Sequence, residues 1–166
     1  IKTYDPSSLL PRCRVPILFV NGTSDVHYTL DSYQKSFDLV PGPKQMRIEV
    51  NMRHSHPAGW APQEIGLFID SRCKGGQPLP VPGQPAVEGD HIRLPVKSVT
   101  AIKEARLHYT TDTGLRSKRQ WQSLPAESGT GVIRAPRPPA AANTWFISVT
   151  DERGAMVTSA VQFASQ

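Results

Sequence analysis

The chain has 166 residues, of which 38% are hydrophobic and 20% charged, and its formal net charge is +5. This length allows one medium domain or two small ones. The Lys and Arg residues are scattered, with the densest run at 116–119, which predicts a solvated basic loop and argues against a nucleic-acid-binding protein. No apolar run approaches the ~18 residues of a membrane span. Two cysteines, Cys13 and Cys73, are too few for a disulfide framework, and whether they pair is left open.

The first 76 residues alternate between strand-like and helix-like patterns. An apolar run at 15–20 predicts a buried strand of parallel type, and apolar residues at helical spacing over 30–40 predict a helix that ends at a Pro-Gly-Pro sequence. Alternating apolar and polar residues over 46–52 predict a second strand, and a second helix is expected to begin near Pro62. The order strand–helix–strand–helix predicts an α/β portion with a parallel sheet.

The composition changes after residue 76. Residues 77–86 are rich in proline and glycine, which predicts an extended linker. Beyond the linker no helical periodicity is present, and short strand-like runs separated by turn-forming residues predict a small Ig-like β-sandwich over 87–166. The runs lie at 92–96, 105–111, 119–124, 131–135, 144–150 and 156–163.

An acid and two histidines follow the two predicted strands of the α/β portion. Asp25 comes soon after the first strand, and the loop after the second strand contains His54 and His56. Because ligands bind outside the carboxyl ends of parallel strands, these residues are candidates for an acid–base pair. Asp25 is favoured over Asp31, which lies in the first turn of a helix, where an acid is explained by the helix dipole. His56 is favoured as the base over the alternate, His54, which is nearer to the strand and suits a supporting or packing role.

A serine nucleophile is not recognisable in the chain. Residues 22–25 form the first half of a Gly-x-Ser-x-Gly turn, but the second glycine is absent. In the Ser…Asp…His order of α/β-hydrolases the serine precedes the acid, so it is expected upstream of Ile1.

A zinc site is an alternative use of the same histidines. The His-x-His spacing of His54 and His56 can place two imidazoles on one face of an extended segment, with Asp25 or His27 as a third ligand. No His-Glu-x-x-His helix or Cys-x-x-Cys motif accompanies them, so the hydrolase interpretation is favoured.

A family resemblance is carried by three segments, 15–25, 30–33 and 54–60, and more loosely by 107–112 and 145–154. On these segments the chain resembles the carboxyl-terminal part of α/β-hydrolases of the acetyl-xylan-esterase and dipeptidyl-peptidase-like type. It is also similar in layout to PhoPQ-activated pathogenicity-related proteins and to secreted bacterial esterase-like proteins with an Ig-like tail.

The resemblance implies a serine hydrolase with Asp25 as the triad acid and His56 as the triad base. The chain would be its carboxyl-terminal portion, inactive by itself, with the nucleophile in the missing amino-terminal part of the same domain. The implied substrates are carboxylic esters, with acetylated carbohydrates as one class, or peptides. No metal, organic cofactor, nucleic acid or membrane span is expected, and the resemblance favours a periplasmic or secreted protein. The rival interpretation is a non-catalytic glycan- or protein-binding module with a degenerate hydrolase remnant.

Overall fold

The structure is a computed structural model that describes residues 4–164. Within these residues it contains three α-helices, three 3-10 turns and eleven strands. The helices are α1 (Leu30–Leu39), α2 (His56–Trp60) and α3 (Gln63–Cys73), and the 3-10 turns are Pro6–Ser8, Leu10–Arg12 and Arg116–Lys118. The strands are β1 (Ile17–Ser24), β2 (Lys44–Arg53), β3 (Val81–Pro82), β4 (Ala86–Glu88), β5 (His91–Lys97), β6 (Ile102–Thr110), β7 (Gln122–Gly129), β8 (Val132–Pro136), β9 (Thr144–Asp151), β10 (Met156–Thr158) and β11 (Gln162–Phe163).

The first strand–helix–strand unit forms as its sequence pattern predicts. β1 and β2 pair in parallel, from Ile17 opposite Lys44 onward, and α1 connects them. The apolar face of α1 packs on β1, where the Phe19 ring makes edge-to-face contacts with the rings of Tyr33 and Phe37 at centroid distances of 5.6 and 5.4 Å. The Tyr33 hydroxyl donates a hydrogen bond to a β1 carbonyl. These contacts fix α1 on β1, and the parallel pairing with β2 places the carboxyl ends of the two strands side by side.

The predicted fold class is wrong. The sequence predicts an α/β-hydrolase parallel sheet followed by a separate small Ig-like β-sandwich, whereas β1 and β2 are the one parallel pair among the strands of residues 4–164. On its other side β2 pairs with the antiparallel β10, through Thr158 opposite Met46. The result is one mixed sheet in the order β1-β2-β10-β9-β6-β7-β8-β5-β3, with β4 on β5 and β11 on β9.

The error has a physical cause. An apolar run such as that of β1 is required of any strand covered on both faces, whatever the direction of its neighbours. The strand that flanks β2 comes from far along the chain, and local periodicity carries no information about such a partner. The tertiary pairing therefore decides between a parallel and a mixed sheet.

Two apolar clusters hold the sheet together, and both contain residues from before and after the proline-rich segment. One joins Phe19, Met46 and Ile48 to Phe146 and Val161. The other is formed mainly by β5, β6, β8 and β9, and Leu18, Leu67 and Phe68 pack against it. The predicted division of the chain into an α/β portion at 1–76, a linker at 77–86 and a β-domain at 87–166 stays a prediction, because it concerns whether each part folds independently.

A buried carboxylate adds a polar link between the two parts of the chain. Glu64 in α3 is 2% exposed. Its carboxylate accepts hydrogen bonds from the Arg47 side chain of β2 at 3.3 Å and from the backbone N–H of Met156 in β10 at 2.6 Å. Arg47 balances the negative charge of Glu64, and the Met156 N–H supplies a hydrogen bond to the other carboxylate oxygen. The buried carboxylate is therefore tolerated in the interior.

Cys13 and Cys73, whose pairing the sequence leaves open, are both free thiols. In the described part of the chain no helix has the length and hydrophobicity that crossing a membrane requires.

His108 makes the stability of the fold depend on pH. Its ring lies between the hydroxyls of Ser123 and Ser148, at 2.7 and 2.8 Å, and burial together with the Arg106 charge lowers its pKa to about 4, although Glu104 opposes this. Between the ordinary pKa of 6.5 and this lowered value, the unfolded chain takes up a proton that the folded chain does not. The free energy of unfolding is therefore expected to fall by about 3 kcal/mol as pH drops through that window.

Urea denaturation at several pH values, in parallel with the variant His108→Gln, checks this expectation. The variant has no imidazole at this position, so its stability should change less over the same window. Parallel pH profiles for the two proteins would contradict the assignment.

Candidate active site

Asp25 lies directly after the last residue of β1, and its carboxylate is fixed by the following turn. The residue is 8% exposed. Its Oδ1 accepts hydrogen bonds from the backbone N–H groups of His27 and Tyr28, both at 2.8 Å. The buried Asn21 side chain donates to the Tyr28 carbonyl at 2.7 Å, which ties the turn to β1. Oδ2 of Asp25 is left to face the neighbouring strand end.

A bulge in β2 brings the next histidine to this carboxylate. Gly22 lies opposite Glu49 and Ser24 lies opposite Arg53, so two residues of β1 span the same length as four residues of β2. Asn51, inside the bulge, has a φ of 65°, and its N–H donates to the Thr23 hydroxyl at 2.8 Å. The bulge sets the register at the strand ends, so the residues after Ser24 and Arg53 are neighbours.

Those neighbours are Asp25 and His54. Nδ1 of His54 lies 2.8 Å from Oδ2 of Asp25. Because a carboxylate only accepts hydrogen bonds, the proton of this bond is on Nδ1, and Nε2 of the neutral ring has a lone pair. The rings of His27 and Tyr28 lie against the His54 ring, at centroid distances of 4.6 and 5.7 Å. The side chain remains 36% exposed, so its outer edge is accessible.

The environment of Asp25 favours its ionised form. Burial by itself raises the pKa of a carboxyl group, but the hydrogen bonds from the Tyr28 N–H, the His54 ring and the His27 N–H outweigh burial. The pKa of Asp25 is therefore below its ordinary value. An ionised Asp25 can hold the His54 ring in one tautomer and stabilise its protonated form.

His56 is placed differently. It is the first residue of α2, a short helix whose cap is Ser55, which accepts from the Ala58 N–H at 3.1 Å. The side chain is exposed, and within residues 4–164 its ring makes no hydrogen bond or ion pair. The structure thus places His54 against Asp25, and His56 on the neighbouring helix.

The length of β2 decides which histidine lies beside Asp25. The predicted second strand ends at Met52, whereas β2 continues through Arg53. With Arg53 paired to Ser24, the residues that follow the two parallel strands are Asp25 and His54. Counting positions from the true strand ends identifies His54 as the residue beside Asp25, although the sequence-based prediction assigns it a supporting or packing role.

The segment of the chain that contains the site matches a known protein family. A family model described as PhoPQ-activated pathogenicity-related protein matches residues 1–119. The chain belongs to this family. The matched residues include Asp25, His54 and the basic run at 116–119. A search of curated proteins found no match. The resemblance to PhoPQ-activated pathogenicity-related proteins, predicted from the sequence, is confirmed. The description of the family names no reaction.

Within residues 4–164, Asp25 and His54 are not part of a group of three potential metal ligands. Among the residues the structure describes, no three His, Cys, Asp or Glu side chains converge on a common point. The zinc alternative requires His54, His56 and Asp25, or His27, to converge. The observed cluster is a carboxylate and an imidazole joined by a hydrogen bond, with the turn that holds the carboxylate.

Gly22 is required for the geometry of the pair. A Cβ at position 22 would overlap the Met52 carbonyl oxygen and come within 2.6 Å of the Met52 Cβ. Since Met52 is part of the bulge, Gly22→Ala is expected to push the end of β2 away from β1. We expect it to lower the free energy of unfolding by about 2 kcal/mol and to lengthen the hydrogen bond between Asp25 and His54.

Urea denaturation measures the first effect of Gly22→Ala, and the NMR signal of the His54 Nδ1 proton measures the second. Gly66→Ala is a matched control, because a Cβ there meets nothing within 4 Å and alanine favours the helix α3. Equal stability of the two variants would contradict the steric argument.

Proposed function

We propose that Asp25 and His54 are the acid and base of a serine-hydrolase-type site that cleaves carboxylic esters. The observation that carries the proposal is the hydrogen bond of 2.8 Å between Oδ2 of Asp25 and Nδ1 of His54, with the ring exposed on its other side. In such a pair the acid fixes the tautomer, and the base faces outward toward the reacting groups.

The chemistry follows from the positions of the protons. Nε2 of His54 takes the proton of a serine hydroxyl as that oxygen attacks the ester carbonyl. Ionised Asp25 stabilises the imidazolium that forms, since the two groups are hydrogen-bonded. The imidazolium then gives its proton to the leaving alcohol, and a water molecule repeats the sequence to release the acid. His56 has no role in these steps.

The nucleophile in this proposal comes from polypeptide outside the described residues. Within residues 4–164 no hydroxyl or thiol hydrogen-bonds to His54. β1 forms one edge of the described sheet, and apolar side chains of Trp60 and Ile69, 74% and 50% exposed, line a groove beside it. Unpaired strand edges and exposed apolar patches favour contact with further polypeptide, which could bring a serine to the carboxyl end of β1.

A fluorophosphonate probe tests the proposal on the protein in its full natural length. Such a probe reacts with a serine whose proton is removed by a neighbouring base. We expect one covalent adduct, on a serine outside residues 4–164, detected by mass spectrometry. The adduct should not form after His54→Gln. Absence of labelling in the unmodified protein, when a known serine hydrolase is labelled in the same tube, would contradict hydrolysis and favour the binding-module interpretation.

A further inference from the structure

An open cleft lies beside the exposed edge of His54. Its volume is about 740 Å³, within the range of small-molecule sites. It is lined by residues at the ends of β1 and β2, among them Ser24 and His54, and by residues 117–120 in and after the third 3-10 turn. Two residues of the basic run, Lys118 and Arg119, therefore line the same cleft as His54.

The cleft is lined by positive charge. Arg53, Lys118 and Arg119 line it together with His54, and no Asp or Glu is among its lining residues. In the part of the chain that the structure describes, neither Arg53 nor Lys118 makes a hydrogen bond or ion pair through its side chain. Arg119 is held by neutral oxygens, the Gly114 carbonyl at 3.1 Å and the Asn143 side chain at 3.2 Å. None of the three cations has a carboxylate partner.

Three acids close in structure to the residues of the cleft have partners of their own. Asp31 pairs with Arg116 at 2.7 Å, so this arginine contributes no net charge to the cleft. Asp25 keeps its negative charge beside the neutral His54 ring, but it does not line the cleft. Asp112 accepts from the N–H groups of Gly114 and Gln120. Hydrogen bonds from N–H groups do not cancel the charge of a carboxylate, so Asp25 and Asp112 count against the cations. The three cations that line the cleft still outnumber these two acids, and the excess charge is positive.

We propose that this cleft binds an oxyanion, so that the substrate is a small ester with a carboxylate, sulfate or phosphate on its acyl or alcohol part. Arg53 and Lys118, which both line the cleft, attract and orient that group while the ester carbonyl lies at His54. The anion site is inferred only from the charges that line the cleft. The role of this site in selecting a substrate rests on the proposed hydrolysis. Such a charge-lined cleft also raises the rate of encounter with anionic substrates at low salt.

A pair of matched esters tests substrate choice in the full-length natural protein. 4-Acetoxybenzoate carries a carboxylate, and methyl 4-acetoxybenzoate is its neutral counterpart. Lys118→Gln and Arg53→Gln are each expected to lower the ratio of kcat/KM for the anionic ester to that for the neutral ester about three- to tenfold. Because the same two esters are used for every variant, the difference in their intrinsic reactivity cancels when the ratio is compared between variants. Arg119 is not suited to this test, because its loss would free the oxygens it holds.

Lys103→Gln is the matched control, since it removes the same charge from an exposed position of β6 outside the cleft. It should leave the ratio unchanged. A ratio that falls equally in the control and in Lys118→Gln would overturn the proposal.

A binding measurement separates this proposal from the proposed function. 4-Hydroxybenzoate and phenyl phosphate, titrated separately at low ionic strength, are expected to give saturable NMR shifts at residues 53, 54 and 116–120, weakened at least threefold by Lys118→Gln. The ligand with the lower dissociation constant identifies the oxyanion that the site prefers. The neutral compound 4-hydroxybenzamide is the control and should give no shift. Anion binding without any ester hydrolysis would support the site and refute the proposed function. Hydrolysis without saturable shifts would overturn the anion site and leave the proposed function intact.

Discussion

Replacement of His54 by glutamine is expected to lower kcat/KM for 4-nitrophenyl acetate by about 10⁴-fold or more in the full-length natural protein. Glutamine has a polar group of similar reach, but it cannot accept the hydroxyl proton and return it to the leaving group. The corresponding change at His56 should alter kcat/KM by less than about threefold, because that ring makes no contact with Asp25 and acts on no proton of the reaction. Steady-state kinetics of the two variants, with purity controlled by active-site titration, measures the difference.

The two histidines make this a matched experiment, since they are two residues apart and both exposed. Circular dichroism and thermal unfolding of each variant separate a catalytic effect from a loss of fold. A large loss in His56→Gln with little change in His54→Gln would assign the base to His56 and leave the contact between Asp25 and His54 a structural one.

Asp25→Asn is expected to lower kcat by about 10⁴-fold with little change in KM. The side chain keeps its size, and its oxygen can still accept from the backbone N–H groups of His27 and Tyr28. The amide nitrogen then faces Nδ1 of His54, where the carboxylate Oδ2 accepts in the unmodified protein. An amide donates a hydrogen bond, so Nδ1 must become the acceptor and the proton moves to Nε2. His54 is then in the tautomer that cannot act as a base.

This tautomer change can be observed directly. The ¹⁵N shifts of the His54 ring should show the proton on Nδ1 in the unmodified protein and on Nε2 in the variant. Asp70→Asn is a suitable control, because Asp70 is a half-exposed acid of α3 whose one ion pair, with Lys74, is on the surface. Near-normal kcat in Asp25→Asn, with the ring shifts reversed as expected, would remove Asp25 from the mechanism.

Local sequence patterns were sufficient for the elements that carry the site. The apolar run of β1, the helical spacing of α1 and the alternation of β2 each occur within about ten residues, which is the range over which periodicity is informative. The parallel pairing of β1 with β2 follows from the helix between them. The acid after one strand and the histidines after the next could therefore be identified as neighbours without a structure.

The choice between the two histidines depended on one residue of strand length. Strand boundaries are the least reliable part of any pattern, and the bulge around Asn51 breaks the alternation where β2 ends. Only the pairing of Ser24 with Arg53 shows that His54 is the residue beside Asp25. The requirement for glycine at position 22 likewise becomes visible only once Met52 lies over it.

By itself, the sequence determined the strand–helix–strand unit, the acid and histidines at its end, and the basic run at 116–119. The tertiary structure decided three further points: that β10 joins β2 in one mixed sheet, that His54 is hydrogen-bonded to Asp25, and that Lys118 and Arg119 line one cleft with His54. The difference has a physical reason. Helices and strands are stabilised by residues within a few positions of each other, whereas sheet order and the lining of a cleft depend on contacts between distant segments, which local patterns do not encode.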